Sequence, residues 1–276
     1  MTKKQNINID VDKLRDIAHT GVRRAILFMG LGLNAASRED FNDYELRKLP
    51  IDPGQTSLPI EFFPENLPAD RVLAFKESFA TWIVGCGLRE LLEHYALFLD
   101  QIHRYALLVF QVKGKLGRIN PIKEQQLFNR RLGIPDKLAT LHKRFSIAPS
   151  DQESINQLYD ARNCLAHDLG IIGSQRCDPD GNLTLTWRTL DVIARGDTTG
   201  TEHLIVNLIG KKTEEPLSII MQQVVRERKF AAGAKLALTK QDVWEICFFF
   251  NAHAIPSAIR SFVKFLKAHD IELREP

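Results

Sequence analysis

Several features are scarce in this chain of 276 residues, and each scarcity excludes something. There are only four cysteines, Cys86, Cys164, Cys177 and Cys247. They are scattered, with no Cys-x-x-Cys pair. That pattern predicts reduced, buried thiols of a cytoplasmic protein and no metal site. Long apolar runs are missing too. The longest stretches without Asp, Glu, Lys or Arg are 25–37, 78–88 and 246–259. All fall short of the roughly 20 residues that cross a bilayer, so no membrane segment is expected. Residues 1–12 carry two lysines with no apolar stretch behind them, which does not read as a secretory signal. Sixteen Gly and 12 Pro are too few for a fibrous or low-complexity chain. Neither sign of charge dominates: 37 Lys+Arg against 34 Asp+Glu leaves +3, too little to imply nucleic acid by itself. What is present, 44% apolar residues, is enough for a real core without disulfides.

The pattern along the chain predicts helices, then strands, then helices, an α+β arrangement. Val11, Leu14, Ile17, Ala18, Ala25, Ile26 and Met29 recur at helical spacing and predict a helix over about 10–33. Pro50, Pro53, Pro59, Pro64 and Pro68 then forbid a helix and suggest an ordered extended connection. Residues 69–112 contain no proline and keep helical phase, with a broad stripe of Leu88, Leu91, Leu92, Tyr95, Phe98, Leu99 and Ile102. A single helix there would be about 60 Å long, so Gly85 and Gly87 are candidate kinks and 100–103 a candidate change of helix. Short helices fit 113–149. A capping box of Ser150 and Glu153 opens another helix, which runs to about His167 and stops at Gly170. Asp178-Pro179-Asp180-Gly181-Asn182 is a turn, and 183–194 and 202–209 read as antiparallel strands. Residues 217–221, 224–230 and 235–238 are weaker strand candidates. Thr239 is a candidate N-cap for a helix over 240–253, and Pro256 opens a last helix to about His269. The implied divisions are 1–68, 69–170, 171–239 and 240–276, within one compact unit.

The near-neutral total conceals a polarised chain. Between Lys113 and Arg144 nine bases face only Glu124 and Asp136, while residues 39–100 carry twelve acids against five bases. Lys113, Lys115, Arg118, Lys123, Arg130, Arg131, Lys143 and Arg144 are therefore candidate RNA-binding residues, with Phe128, Phe145 and His142 available beside them. A solvated helical surface accounts for the same charge run.

The sharpest chemistry lies in Leu158-Tyr159-Asp160-Ala161-Arg162-Asn163-Cys164-Leu165-Ala166-His167-Asp168-Leu169-Gly170. Ile155, Leu158, Tyr159, Leu165 and Ala166 define an apolar face, with Arg162 at its centre and in need of a partner. Asn163 and His167, four apart, share the neighbouring side. Arginine suits phosphate and histidine suits proton transfer near neutral pH, so the set suits RNA cleavage without a metal. The structural reading is that Arg162 pairs with an acid such as Glu90 or Glu93 and His167 caps the helix end.

Arg162-Asn163-Cys164-Leu165-Ala166-His167 resembles the signature of the HEPN superfamily: an arginine, a polar residue, and a histidine after four to six intervening positions. The resemblance covers roughly 69–170 and leaves the strands and last helices outside. It implies a helical up-and-down bundle, here joined by a small antiparallel sheet and C-terminal helices. It also implies a homodimer in which two motifs form a composite metal-independent endoribonuclease site, with no cofactor. Such proteins serve as toxins or in phage defence, which implies RNA as substrate and a neutralising protein partner. Arg162, Asn163 and His167 take the motif's catalytic positions. The alternative is a non-catalytic module of the same type that binds RNA or protein, or dimerises.

Two weaker patterns do not hold together. Gly30-Leu31-Gly32-Leu33-Asn34-Ala35 matches a dinucleotide fingerprint, but the run before it is helical and the run after it polar. Small residues for close helix packing explain it better. Glu90, Glu93, His94, Asp100 and His103 supply only one Glu/Asp-x-x-His pair of a di-iron bundle, and salt bridges explain them better.

Overall fold

A computed structural model describes residues 9–38, 69–208, 210–213 and 215–271. The predicted proline-rich connection lies outside these residues. Seven helices and three strands follow one another: α1 (Val11–Ala36), α2 (Ala69–Val112), α3 (Pro121–Arg131), α4 (Ile134–Phe145), α5 (Gln152–His167), β1 (Asn182–Gly196), β2 (Glu202–Leu204), β3 (Leu217–Ala231), α6 (Lys240–Phe249) and α7 (Ile255–Ala268). The architecture is mostly helical with a small antiparallel sheet and closing helices, as expected for α+β.

α1 and α2 form the frame. Asp10 caps α1 by accepting from Lys13 N at 2.8 Å. α2 runs 44 residues without the predicted break, about 66 Å at 1.5 Å per residue. Its glycines are contact points rather than kinks. A Cβ on Gly87 would lie 2.0 Å from Met29 of α1, and one on Gly85 would touch Leu165 of α5. Gly32, part of the rejected fingerprint, does the same job in α1, where a Cβ would lie 2.7 Å from Ile83. Residues 100–103 continue the helix because α3 and α4 supply partners for their polar groups. Asp100 pairs with buried Lys137, and His103 stacks on Phe128 at 3.8 Å between ring centres.

The sheet order is β2-β1-β3, antiparallel throughout. β1 and β3 pair without a bulge from Asn182↔Ala231 to Gly196↔Leu217, so the two predicted segments of β3 are one strand. The ladder continues through Gln222 and Gln223, where the apolar pattern lapses. β2 is shorter than predicted and passes into a 3₁₀ turn at Ile205–Asn207. The predicted strand at 235–238 is reduced to a bridge between Ile171 and Lys235. β1 turns Leu183, Leu185, Trp187 and Thr189 inward, a period-two pattern that faces α5 and α6. Trp187 Nε1 donates to Glu245 of α6 at 3.0 Å, and Arg226 of β3 reaches the same carboxylate.

α6 starts with the Thr239–Asp242 capping box and joins α7 through a π-helical turn, Phe250–Ala254, so 240–268 is continuous helix. Among the described residues this is the one stretch long and apolar enough to cross a membrane by length and composition. More than half of its apolar window is buried against the rest of the fold. The buried side chains of α1, α2, α4, α5, β1, α6 and α7 form one continuous core.

Candidate active site

α5 carries the candidate motif. The predicted Ser150–Glu153 box does not form. The Ser150 hydroxyl donates to Asp151 Oδ2 at 2.9 Å and lies 2.9 Å from Ser257 Oγ, and α5 starts one residue after Asp151. The buried stripe of α5 is Ile155, Leu158, Ala161 and Cys164. That differs from the predicted face, because small Ala161 and Cys164 fill the core side while Ala166 is exposed. Arg162 therefore sits at the edge of the buried stripe rather than at its centre.

From that edge the guanidinium reaches two neighbours. Arg162 Nη1 donates to Asn163 Oδ1 at 2.8 Å, and Nη2 lies 3.9 Å from Glu93 Oε1 on α2. Glu93 also accepts from Arg89 Nε at 2.7 Å and is half exposed, so its hold on Arg162 is loose. Glu90, the other candidate partner, pairs with Arg24 instead. Asn163 is half-buried, and His167 is exposed in the last turn of α5. No family model, no curated protein and no solved structure matches the chain.

The exit from the motif is sharply turned. Gly170 N donates to Cys164 O at 3.1 Å, and both Leu169 (φ 52°) and Gly170 (φ 79°) are left-handed. Glycine adopts that conformation freely, whereas Leu169 does so at a steric cost and projects its side chain into solvent, 86% exposed. Asp168 accepts from Arg176 Nε at 3.1 Å, and Arg176 Nη1 lies 3.8 Å from Asp160. Arg176 had no signal in the sequence, because only the chain reversal after Gly170 brings the 3₁₀ turn Ser174–Arg176 against α5. Burial pushes the Asp160 carboxyl up, against the pull of Arg176. Asp160 and Arg176 border an open cleft of about 360 Å³ with Gln157, Asp178 and Thr184. Gln157, Asp178 and Thr184 are already engaged. Gln157 accepts from Thr186 N at 2.8 Å, and Asp178 takes the Asn182 and Asp180 amides and the Thr184 hydroxyl. Among the described residues no group of three or more His, Cys, Asp or Glu is placed to hold a metal.

The candidate RNA-binding bases divide in two. Lys115, Arg118, Lys123, Arg130, Arg131 and Lys143 are exposed, and none of the six has an ion pair among the described residues. Arg144 is bound to Glu124 and lies over Phe145, and Lys113 lies 3.7 Å from Asp270. Phe128 and Phe145, expected beside these bases as stacking surfaces, are instead core residues. Lys137, counted in the same basic run, is buried against Asp100.

Proposed function

We propose that the protein is a metal-independent endoribonuclease of the HEPN type, with Arg162, Asn163 and His167 forming half of a composite site completed by a second copy. The observation that carries the reading is the exposed His167 imidazole at the end of α5, with a loosely held arginine five residues before it. In the proposed reaction one His167 takes the proton from a ribose 2′-OH. The 2′ oxygen attacks phosphorus and expels the 5′ oxygen, which receives a proton from the His167 of the second copy. The products are a 2′,3′-cyclic phosphate and a 5′-hydroxyl. Arg162 stabilises the charge gathering on the phosphoryl oxygens. A half-exposed ion pair contributes at most about 1 kcal/mol, so exchanging Glu93 for a phosphate is favourable for a planar guanidinium. Asn163 holds that guanidinium in place. Roles as a toxin or in phage defence, and a neutralising protein partner, belong to the same reading.

The test is incubation of purified protein with mixed RNA in excess chelator. Cleavage with cyclic-phosphate ends is expected, falling by about 100-fold or more in His167→Ala. An uncut RNA, or a His167→Ala variant as active as wild type, overturns the catalytic reading. A second reading, a non-catalytic binding or dimerisation module, is favoured by the occupation of Arg162 by Asn163 and Glu93. It expects Arg162→Ala to change assembly mass or melting temperature while no RNA is cut.

A further inference from the structure

Among the described residues nothing pairs with the outer edge of β3. The strand pairs with β1 over all 15 of its residues, and among the described residues no other backbone hydrogen-bonds to it between Leu217 and Phe230. Natural sheets shield such edges with charge, proline, bulges or shortness. β3 has none of these over Leu217-Ser218-Ile219-Ile220-Met221-Gln222-Gln223-Val224-Val225. Ile219, Met221 and Val225 share one face and are 56%, 72% and 67% exposed. A lone edge of this composition is an aggregation hazard unless something closes it.

We propose that a second copy of the chain closes it, with the two β3 strands pairing antiparallel about a two-fold axis near Gln222. The charges of the strand choose this occupant and this direction. All four sit at one end, Arg226-Glu227-Arg228-Lys229. A parallel partner would place like charges side by side, which is destabilising. Antiparallel pairing about Gln222 sets Ile219 opposite Val225, Ile220 opposite Val224 and Met221 opposite Gln223. It brings Arg226 opposite Ser218 and carries Lys229 to the level of Glu215, whose carboxyl three hydrogen bonds to Thr198 and Thr199 hold in its charged form. The pairing is isologous, so it closes after two copies and does not propagate as an open-ended sheet. It uses no residue of the α5 motif, and it stands or falls separately from the ribonuclease reading.

Sedimentation equilibrium of the full chain tests it, beside Met221→Lys, with circular dichroism to confirm that the variant keeps its fold. The assembly mass is expected to halve in the variant, from two chains to one or from four to two where the motif also pairs. A second measurement fixes the register. In a Cys86→Ser, Cys177→Ser background, Gln222→Cys is expected to cross-link two chains under mild oxidation, since directly opposed strand residues lie within disulfide reach. Ser218→Cys, facing Arg226, is expected not to. A wild-type mass of one chain at every concentration, a mass unchanged by Met221→Lys, or equal cross-linking at both positions overturns the proposal.

Discussion

At the scale of single residues, the polar side chains of α2 that resembled a metal helix make structural contacts, and one of them, His103, makes the fold sensitive to acid. His103 is fully buried, with Nδ1 2.8 Å from Gln125 Oε1. The Gln125 amide nitrogen is already donating to Asp100 O, so its oxygen faces the ring and Nδ1 carries the proton. Nε2 is buried without a partner, and a second proton there would be an unsatisfied donor. Burial accordingly holds the His103 pKa down at about 4. The unfolded chain takes up this proton below about pH 6.5, and the folded chain only near pH 4. Stability from this residue is therefore complete above pH 6.5 and is lost as the pH falls toward 4, by about 3 kcal/mol. Denaturant titrations at pH 7 and pH 4.5 should show a smaller loss in His103→Phe than in wild type. An equal loss would show that the buried imidazole does not contribute. The neighbouring Asp100–Lys137 pair is nearly sealed from solvent. Removing one partner strands the other, so Lys137→Met should cost about 3 kcal/mol of unfolding free energy. The double variant Lys137→Met, Asp100→Leu should recover most of that loss.

At the scale of elements, the glycines of α1 explain why the two long helices lie so close. A Cβ on Gly21 would stand 2.3 Å from His94 Cβ, an atom next to the α2 backbone that cannot swing away. Gly30 has nothing within 4 Å. Gly30→Ala should therefore raise stability by up to about 1 kcal/mol through helix propensity alone, and Gly21→Ala should lower it. Thermal unfolding of the two variants checks the contrast, and a shared direction would refute the close-packing account. The same glycines show where sequence reading stops. Helical periodicity made α1, α5 and α6 legible, the Thr239 cap marked the start of α6, and alternation with turn residues exposed β1. Whether Gly85 and Gly87 bend α2 or admit a neighbour depends on Met29 and Leu165, which come from distant segments. The motif was legible for the same local reason, since Arg162, Asn163 and His167 lie within two turns of one helix. The placement of Arg162 was not. Its depth depends on Ala161 and Cys164 taking the core side, and on Glu93 standing 3.9 Å away on α2. Arg176 was invisible because nothing within α5 specifies which loop folds back on it.

At the scale of the whole molecule, a net charge of +3 is the remainder of two opposed regions, and folding sorts the basic one further. Lys137 is withdrawn into the core, Arg144 is bound to Glu124, and Lys113 leans toward Asp270. What remains outward is a smaller set on α3, on its approach and at the end of α4: Lys115, Arg118, Lys123, Arg130, Arg131 and Lys143. Arg130, Arg131 and Lys143 also lie in the last turns of their helices, where the macrodipole favours a cation without any ligand. Surface charge alone therefore does not require RNA, and the two explanations differ in one measurement. If single-stranded RNA runs across this surface, its affinity falls with salt in proportion to the phosphates contacted, with a logarithmic slope of about 0.7 per contact. Fluorescence anisotropy over a salt series should then show the slope reduced by about 1.4 in Arg130→Ala, Arg131→Ala, at little cost in melting temperature. Arg144→Ala should behave in the opposite way, leaving the slope in place and lowering the melting temperature, because it abandons the partly buried Glu124. A slope unchanged by the double variant would place RNA on another face and leave α3 with a structural role only.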